Sequence, residues 1–236
     1  MNRNHIDTIA RRVMIGRKAH SKRETGYIYY HGTRVARIAL ELLDSLQFRS
    51  HWLCRWLCNL ALPSRLRNCL VKATCFAGGL LLGSVSTINR DTLFVAALFH
   101  DVGKGMEPHA EIGATMAREA LKGIVSDHEL EEIGSLIRMH NRRGQGSTMA
   151  EHLIQDADLL DHFGSQSVWL CFYYSSLSDK PGEEALEYRR STDMKGYLEY
   201  CRKNLNLDLS RRVLERRLAF EDSFFSQFKR ELSGRL

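Results

Sequence analysis

HGTRVARIALELLDSL, residues 31–46, decides the fold class. Val35, Ile38, Ala39, Leu42, Leu43 and Leu46 recur in it at steps of three and four, which gathers them along one stripe of a helix. A half-buried strand would need alternation, and no convincing alternating segment, hairpin signal or internal repeat occurs. The helical spacing continues outward. Leu93 to His100 is a short apolar run with Asp91 as its expected N-cap. Ile112, Met116, Ala117, Ala120 and Leu121 make another stripe, which ends near Gly123. Ser126 and Glu129 have the spacing of a capping box, followed by Ile133, Leu136, Ile137 and His140. Further stripes run through Met149, Leu153, Ile154 and Ala157, through Met194, Tyr197, Leu198, Cys201 and Leu205, and through Val213, Leu214, Leu218, Phe220, Phe224, Phe225 and Phe228. The expected fold is all-α. GQGST at 144–148 reads as a loop, and charged SDKPGEEALEYRRST at 178–192 leads into a C-terminal helical pair. We read one domain over 1–236 with a C-terminal helical extension at about 190–236.

With 236 residues and 44% hydrophobic content, the chain can bury a core of its own, which disfavours disorder or a coiled coil. A net charge of +6 accommodates an anionic substrate without specifying one. The first residues, MNRNHIDTIARRVMIGRK, contain scattered charge and no apolar run of the secretory kind, so a cytoplasmic location with reduced thiols is expected. The longest uncharged run, 73–89, is interrupted by Gly, Ser, Thr and Asn and falls short of a spanning helix.

Chemistry-bearing residues sit on the inward stripes or at helix ends: His31, His100 beside Asp101, His109, His140 and Asp158. His31 shares its stripe with Val35 and Ile38, His140 follows Ile137, and Asp158 follows Ile154 by one turn. A buried carboxylate there calls for a cation partner. Imidazole and carboxylate ligands converging from several elements suit hard or borderline cations. Singly, each of the ten histidines is more simply a core residue bonded to a carbonyl. The ordered series His, His-Asp, His, His, Asp is what favours metal.

HGTRVARIAL, AALFHDVGKG, IRMHNRRG and QDADLLDHFG resemble, in that order, the motifs of the HD-domain metal-dependent phosphohydrolase superfamily. The stretch from Leu198 to Leu232 is similar to the helical tail of some bacterial members. The resemblance covers most of the chain apart from about 48–89. It implies an all-helical bundle holding one or two divalent metals, with His31, His100, Asp101 and Asp158 as the ligands that name the superfamily. Asp156 is the fallback for the last of these. His109 and His140 match the extra histidines of dinuclear members, where the aspartate of the HD pair bridges both ions. Asn141 departs from the pattern: several cyclic-dinucleotide hydrolases have a second His there, and their Gly-Tyr-Pro signature is missing as well. Cyclic di-GMP hydrolysis is therefore disfavoured.

The resemblance implies a metal-activated water attacking a nucleotide or other small phosphate ester, with Asp101 central to the chemistry. Lys104 either steadies a phosphoryl oxygen or faces a helix C-terminus as a simple cation. Arg34, three residues after His31, either contacts phosphate or braces the ligands. Arg142 and Arg143 are candidates to clamp a polyphosphate, against the plainer reading of solvated loop arginines. Fe, Mn, Mg, Co and Ni are not distinguishable from these ligands.

Residues 48–89 form an insert carrying Arg49, Arg55, Arg65, Arg67 and Lys72, no acidic residue, two tryptophans and four of the six cysteines. Cys54, Cys58, Cys69 and Cys75 do not have the paired spacing of a zinc knuckle, so free thiols are expected. A lid or a homo-oligomer interface is the expected use, ahead of a nucleic-acid or membrane surface. Two other function classes compete with the hydrolase. One is an HD-type di-iron oxygenase, which shares the ligand order. The other is a non-catalytic module working through the basic, aromatic insert, which has no need of six convergent polar groups.

Overall fold

Side chains at steps of three and four bury a stripe only if the chain coils as an α-helix, and α2 (Tyr27–Cys58) does so with Val35, Ala36, Ala39, Leu42 and Leu43 all buried. The structure, a computed structural model, describes residues 1–19, 25–58 and 85–235. The described residues are all-α, without a strand. The bundle also comprises α1 (Arg3–Met14), α3 (Arg90–Phe99), α4 (His109–Leu121), α5 (Asp127–Met139) and α6 (Met149–Asp161). α7 (Ser165–Leu177), a 3₁₀ turn at Gly182–Glu184 and the short α8 (Ala185–Arg190) follow, and α9 (Thr192–Asn204) and α10 (Asp208–Leu232) complete the chain. Most of the 48–89 insert lies outside the described residues, and so do the side chains of its four cysteines. Cys171 and Cys201 are free thiols, both buried.

α2 packs against α3 and α6, α4 against α5, and α10 against both α6 and α7. One core runs from Ile6, Ile9 and Met14 of α1 through α2 to α6 and on to Leu214 and Leu218 of α10. A smaller cluster, Val168, Cys171, Ala185 and Phe225, joins α7, α8 and α10. Each fully buried Leu, Ile or Phe contributes about 1.5–3 kcal/mol, so the larger core dominates stability.

Local chemistry sets the helix starts. The cap of α3 is Asn89 rather than Asp91, because the Asn89 side-chain oxygen accepts from the Asp91 and Thr92 amides at 3.0 and 3.2 Å. Asp91 lies two residues past the cap, where the helix N-terminus favours its charge and Arg3 pairs with it at 2.8 Å. Ser126 and Glu129 form the expected capping box at α5. A second box, Thr148 with Glu151, opens α6 straight after the GQGST loop. α1 and α7 are helices that the sequence expectations did not include. In α1 the inward Ile6, Ile9, Ala10 and Met14 stand among charges, and α7 is apolar nearly all round. Among the described residues no helix is long and apolar enough to cross a membrane.

Candidate metal centre

His31 lies on the inner face of α2, where its neighbour Gly32 meets α3. A β-carbon at Gly32 would fall 2.2 Å from the Leu98 carbonyl oxygen, so only glycine lets the two helices approach this closely. The approach brings the His31 and His100 rings to 5.0 Å. His100 caps the end of α3, with Asp101 next in the chain. His140 caps α5, and its ring lies 4.9 Å from His100 and 5.3 Å from His109. The turn 100–108 tucks under α4: a β-carbon on Gly103 would lie 2.3 Å from the His109 carbonyl oxygen. His109 therefore opens α4 with its Nε2 3.8 Å from Asp101. Asp158 comes from α6, across the bundle.

The imidazoles are oriented alike. His100 Nδ1 donates to the Ala97 carbonyl at 2.7 Å, and His140 Nδ1 donates to the Ile137 carbonyl at 2.6 Å. His31 Nδ1 faces Asp161 at 2.7 Å. In each case Nε2 is left turned toward the carboxylates. His31 Nε2 is 3.1 Å from Asp158 and 3.8 Å from Asp101; His140 Nε2 is 3.6 Å from Asp101. His100 Nε2 lies 3.5 Å from Asp158 and 3.8 Å from Asp101, is buried, and makes no hydrogen bond. A bare ring lone pair facing anionic oxygen is repulsive unless a proton or a cation sits between them. Among the described residues, two groups have ligand atoms within 4.8 Å of one another, His31, His100 and Asp158, and His100, Asp101 and His140. This donor set fits divalent cations of the borderline class.

The electrostatics agree. Burial works against charge on His31, but hydrogen bonds to Asp158 and Asp161 outweigh it and push the ring up to about 9. Burial alone would raise the carboxyls of Asp101 and Asp158, yet the surrounding histidines hold both well below the usual carboxylate range. His140 is lowered, chiefly by burial. Lys104 places its ammonium 3.2 Å from Asp101 and remains substantially exposed.

The HD domain profile matches residues 28–163, from the first turn of α2 to just past α6. The chain belongs to the HD domain family. Its fold is similar to that of a crystallised HD-superfamily hydrolase from Bacillus thuringiensis, with 18% identity, 99% of each chain covered and a TM-score of 0.58. Among curated proteins, none matches.

Within the HD domain the structure brings together His31, His100, Asp101, His109, His140 and Asp158, with Lys104 at the edge. The arginines have other partners. Arg34 forks onto Asp161 through Nε at 2.8 Å and Nη2 at 2.9 Å. Arg143 is bonded to Asp158 and to the Gln155 carbonyl, and Arg142 pairs with Glu111 at 2.7 Å. Arg34 and Arg143 thus brace site carboxylates, and Arg142 is engaged on α4. Asp156 points away from the cluster and accepts from the Asn206 and Leu207 amides at 2.8 and 2.9 Å. Asp161 is the residue that sequence reasoning missed. Its signal was position: three residues after Asp158, it lies on the same helical face, one turn further along.

Proposed function

We propose that this HD domain is a metal-dependent hydrolase that cleaves a phosphate ester or phosphoanhydride, with a nucleotide or another small phosphorylated molecule as substrate. The observation that supports it most directly is the buried, unpartnered His100 Nε2 among the Asp101 and Asp158 carboxylates. The name of the Bacillus thuringiensis protein, a hydrolase, points the same way.

His31, His100, Asp101 and Asp158 would hold one divalent cation, and Asp101, His109 and His140 would hold a second. When bound, such ions supply an acidified water and polarise phosphoryl oxygens. The chain's own residues prepare the site for them. The Ala97 and Ile137 carbonyls keep His100 and His140 in the Nδ1–H tautomer with Nε2 free, and Asp161 does the same for His31. Arg143 and Arg34 hold Asp158 and Asp161 ionised and oriented. Lys104 offers a cation to charge developing on the phosphoryl group. Asn141 lies beside the His109 ring, with its Nδ2 3.4 Å from His109 Nε2.

The test is metal analysis of protein purified with and without oxygen, followed by phosphate release from mononucleotides, dinucleoside polyphosphates and simple aryl phosphates. We expect metal-dependent release that chelation abolishes. No release from any phosphate class by metal-loaded protein would overturn the reading, and oxygen consumption in its place would indicate oxygenase chemistry.

A further inference from the structure

On the far side of Asp161 from His31, α2, the α6–α7 junction and α10 border an open groove of about 720 Å³. Four arginines line it, Arg34 and Arg37 from α2 and Arg216 and Arg217 from α10, against a single carboxylate, Asp161. That carboxylate is already engaged by His31 and by the Arg34 fork. Arg37 and Arg216 are exposed and make no ion pair or hydrogen bond among the described residues. Among the described residues, the contacts of Arg34 run through Nε and Nη2 and leave Nη1 without one. Arg217 spends Nη1 on the Leu160 carbonyl and lies along Gly164, whose φ of 82° and missing β-carbon leave room for its stem. The first turn of α7 borders the same groove, and its Gly164 amide donates to the buried Glu221 carboxylate at 2.6 Å, so that carboxylate is already engaged as well. Like charges crowded around one hollow repel each other unless an anion occupies it, and guanidinium forks match phosphoryl oxygens in both charge and shape.

We infer that this groove is a second ligand site, separate from the metal centre, and that it binds a polyphosphate-bearing anion through Arg37, Arg216, Arg217 and the free edge of Arg34. Two of these side chains are uncommitted within the fold, so they can be changed without breaking any described contact. The inference is independent of the catalytic reading, because the binding it describes needs no metal.

The probe is inorganic tripolyphosphate, titrated calorimetrically into the full chain in excess EDTA so that the histidine cluster cannot contribute through metal. Saturable binding at one per chain is expected. Arg37→Glu with Arg216→Glu should weaken it by about tenfold or more, while Arg12→Glu with Lys122→Glu changes net charge equally away from the groove and should leave it nearly unchanged. Thermal melts confirm that each variant is folded. No saturable binding below about 1 mM, or equal weakening by both double variants, would overturn the site.

Discussion

Asp156, Asp158 and Asp161 are chemically identical, and position alone separates their work. Asp158 faces the imidazoles, Asp161 holds His31 from behind, and Asp156 accepts amides from the α9–α10 loop. We expect Asp158→Asn to strip the protein of bound metal and Asp156→Asn to leave metal content intact while lowering thermal stability; equal metal loss in both would contradict the assignment. Asp161→Asn should weaken metal affinity by about 10–100-fold without unfolding the chain, as expected for a residue that orients a ligand, and competition with a chelator would measure it. Asp101→Ala should abolish turnover together with metal. Lys104→Ala should retain metal and lose roughly ten- to a thousandfold in rate. Wild-type turnover in Asp101→Ala would end the phosphohydrolase mechanism. At this scale the sequence was informative about histidines and less so about arginines. An imidazole on an apolar face has few alternatives, whereas an arginine near such a site serves substrate or carboxylate equally well until its partner is seen. Arg34 and Arg143 turned inward because Asp161 and Asp158 lie within their reach.

Among the elements, the α2–α3 contact is the most sensitive. Gly32→Ala would drive a methyl group into the Leu98 carbonyl, and backbone cannot yield there as a flexible side chain would. We expect a loss of more than about 2 kcal/mol in stability, with metal content falling as His31 moves away from His100, read by denaturant titration and metal analysis. The start of α6 offers a pH test. Glu151 accepts the Ser147 and Thr148 amides at 2.7 and 3.0 Å; burial tends to raise its carboxyl, but those bonds win and lower it. A carboxylate depressed on folding contributes stability that is fully present above its unfolded value of about 4.3 and is lost as pH falls through the folded value. Glu151→Gln should therefore cost stability at neutral pH and flatten the acid limb of the melting curve between about pH 5 and 3. An unchanged acid limb would show that the cap does not matter. Helices with a single apolar stripe, α2, α4, α5 and α6, were legible from spacing. α7 was not, because Val168, Leu170 and Cys171 turn inward while Trp169 between them stays exposed, which leaves no one-sided pattern.

Over the whole molecule, contacts distant in sequence decide the architecture. His31 meets Asp158 across 127 residues, and helical spacing could show only that each faced inward. Motif order supplied the convergence, since no local rule links α2 to α6. The C-terminal helices were legible as helices but not as to where they dock. That docking rests on Asp156, which gathers the Asn206 and Leu207 amides and the Asn206 side chain at 2.8–2.9 Å, and on Gln155, which accepts from the same side chain at 3.1 Å. Asn206→Ala should cost about 1–3 kcal/mol, because it leaves part of a buried carboxylate unsatisfied; a melt shift no larger than that of an exposed-site control would refute it.

That clamp has a consequence for any shortened form of the protein. A chain ending at residue 204 would keep every histidine and aspartate of the cluster yet lose the amides that Asp156 accepts and uncover the side of α6 on which α10 packs, two residues from Asp158. Apolar surface left without Leu209, Leu214 and Leu218 would favour unwinding of α6, and unwinding would carry the cation-facing aspartates with it. A trimmed chain that arrived without metal would then be reporting a broken hinge pin, not a missing ligand.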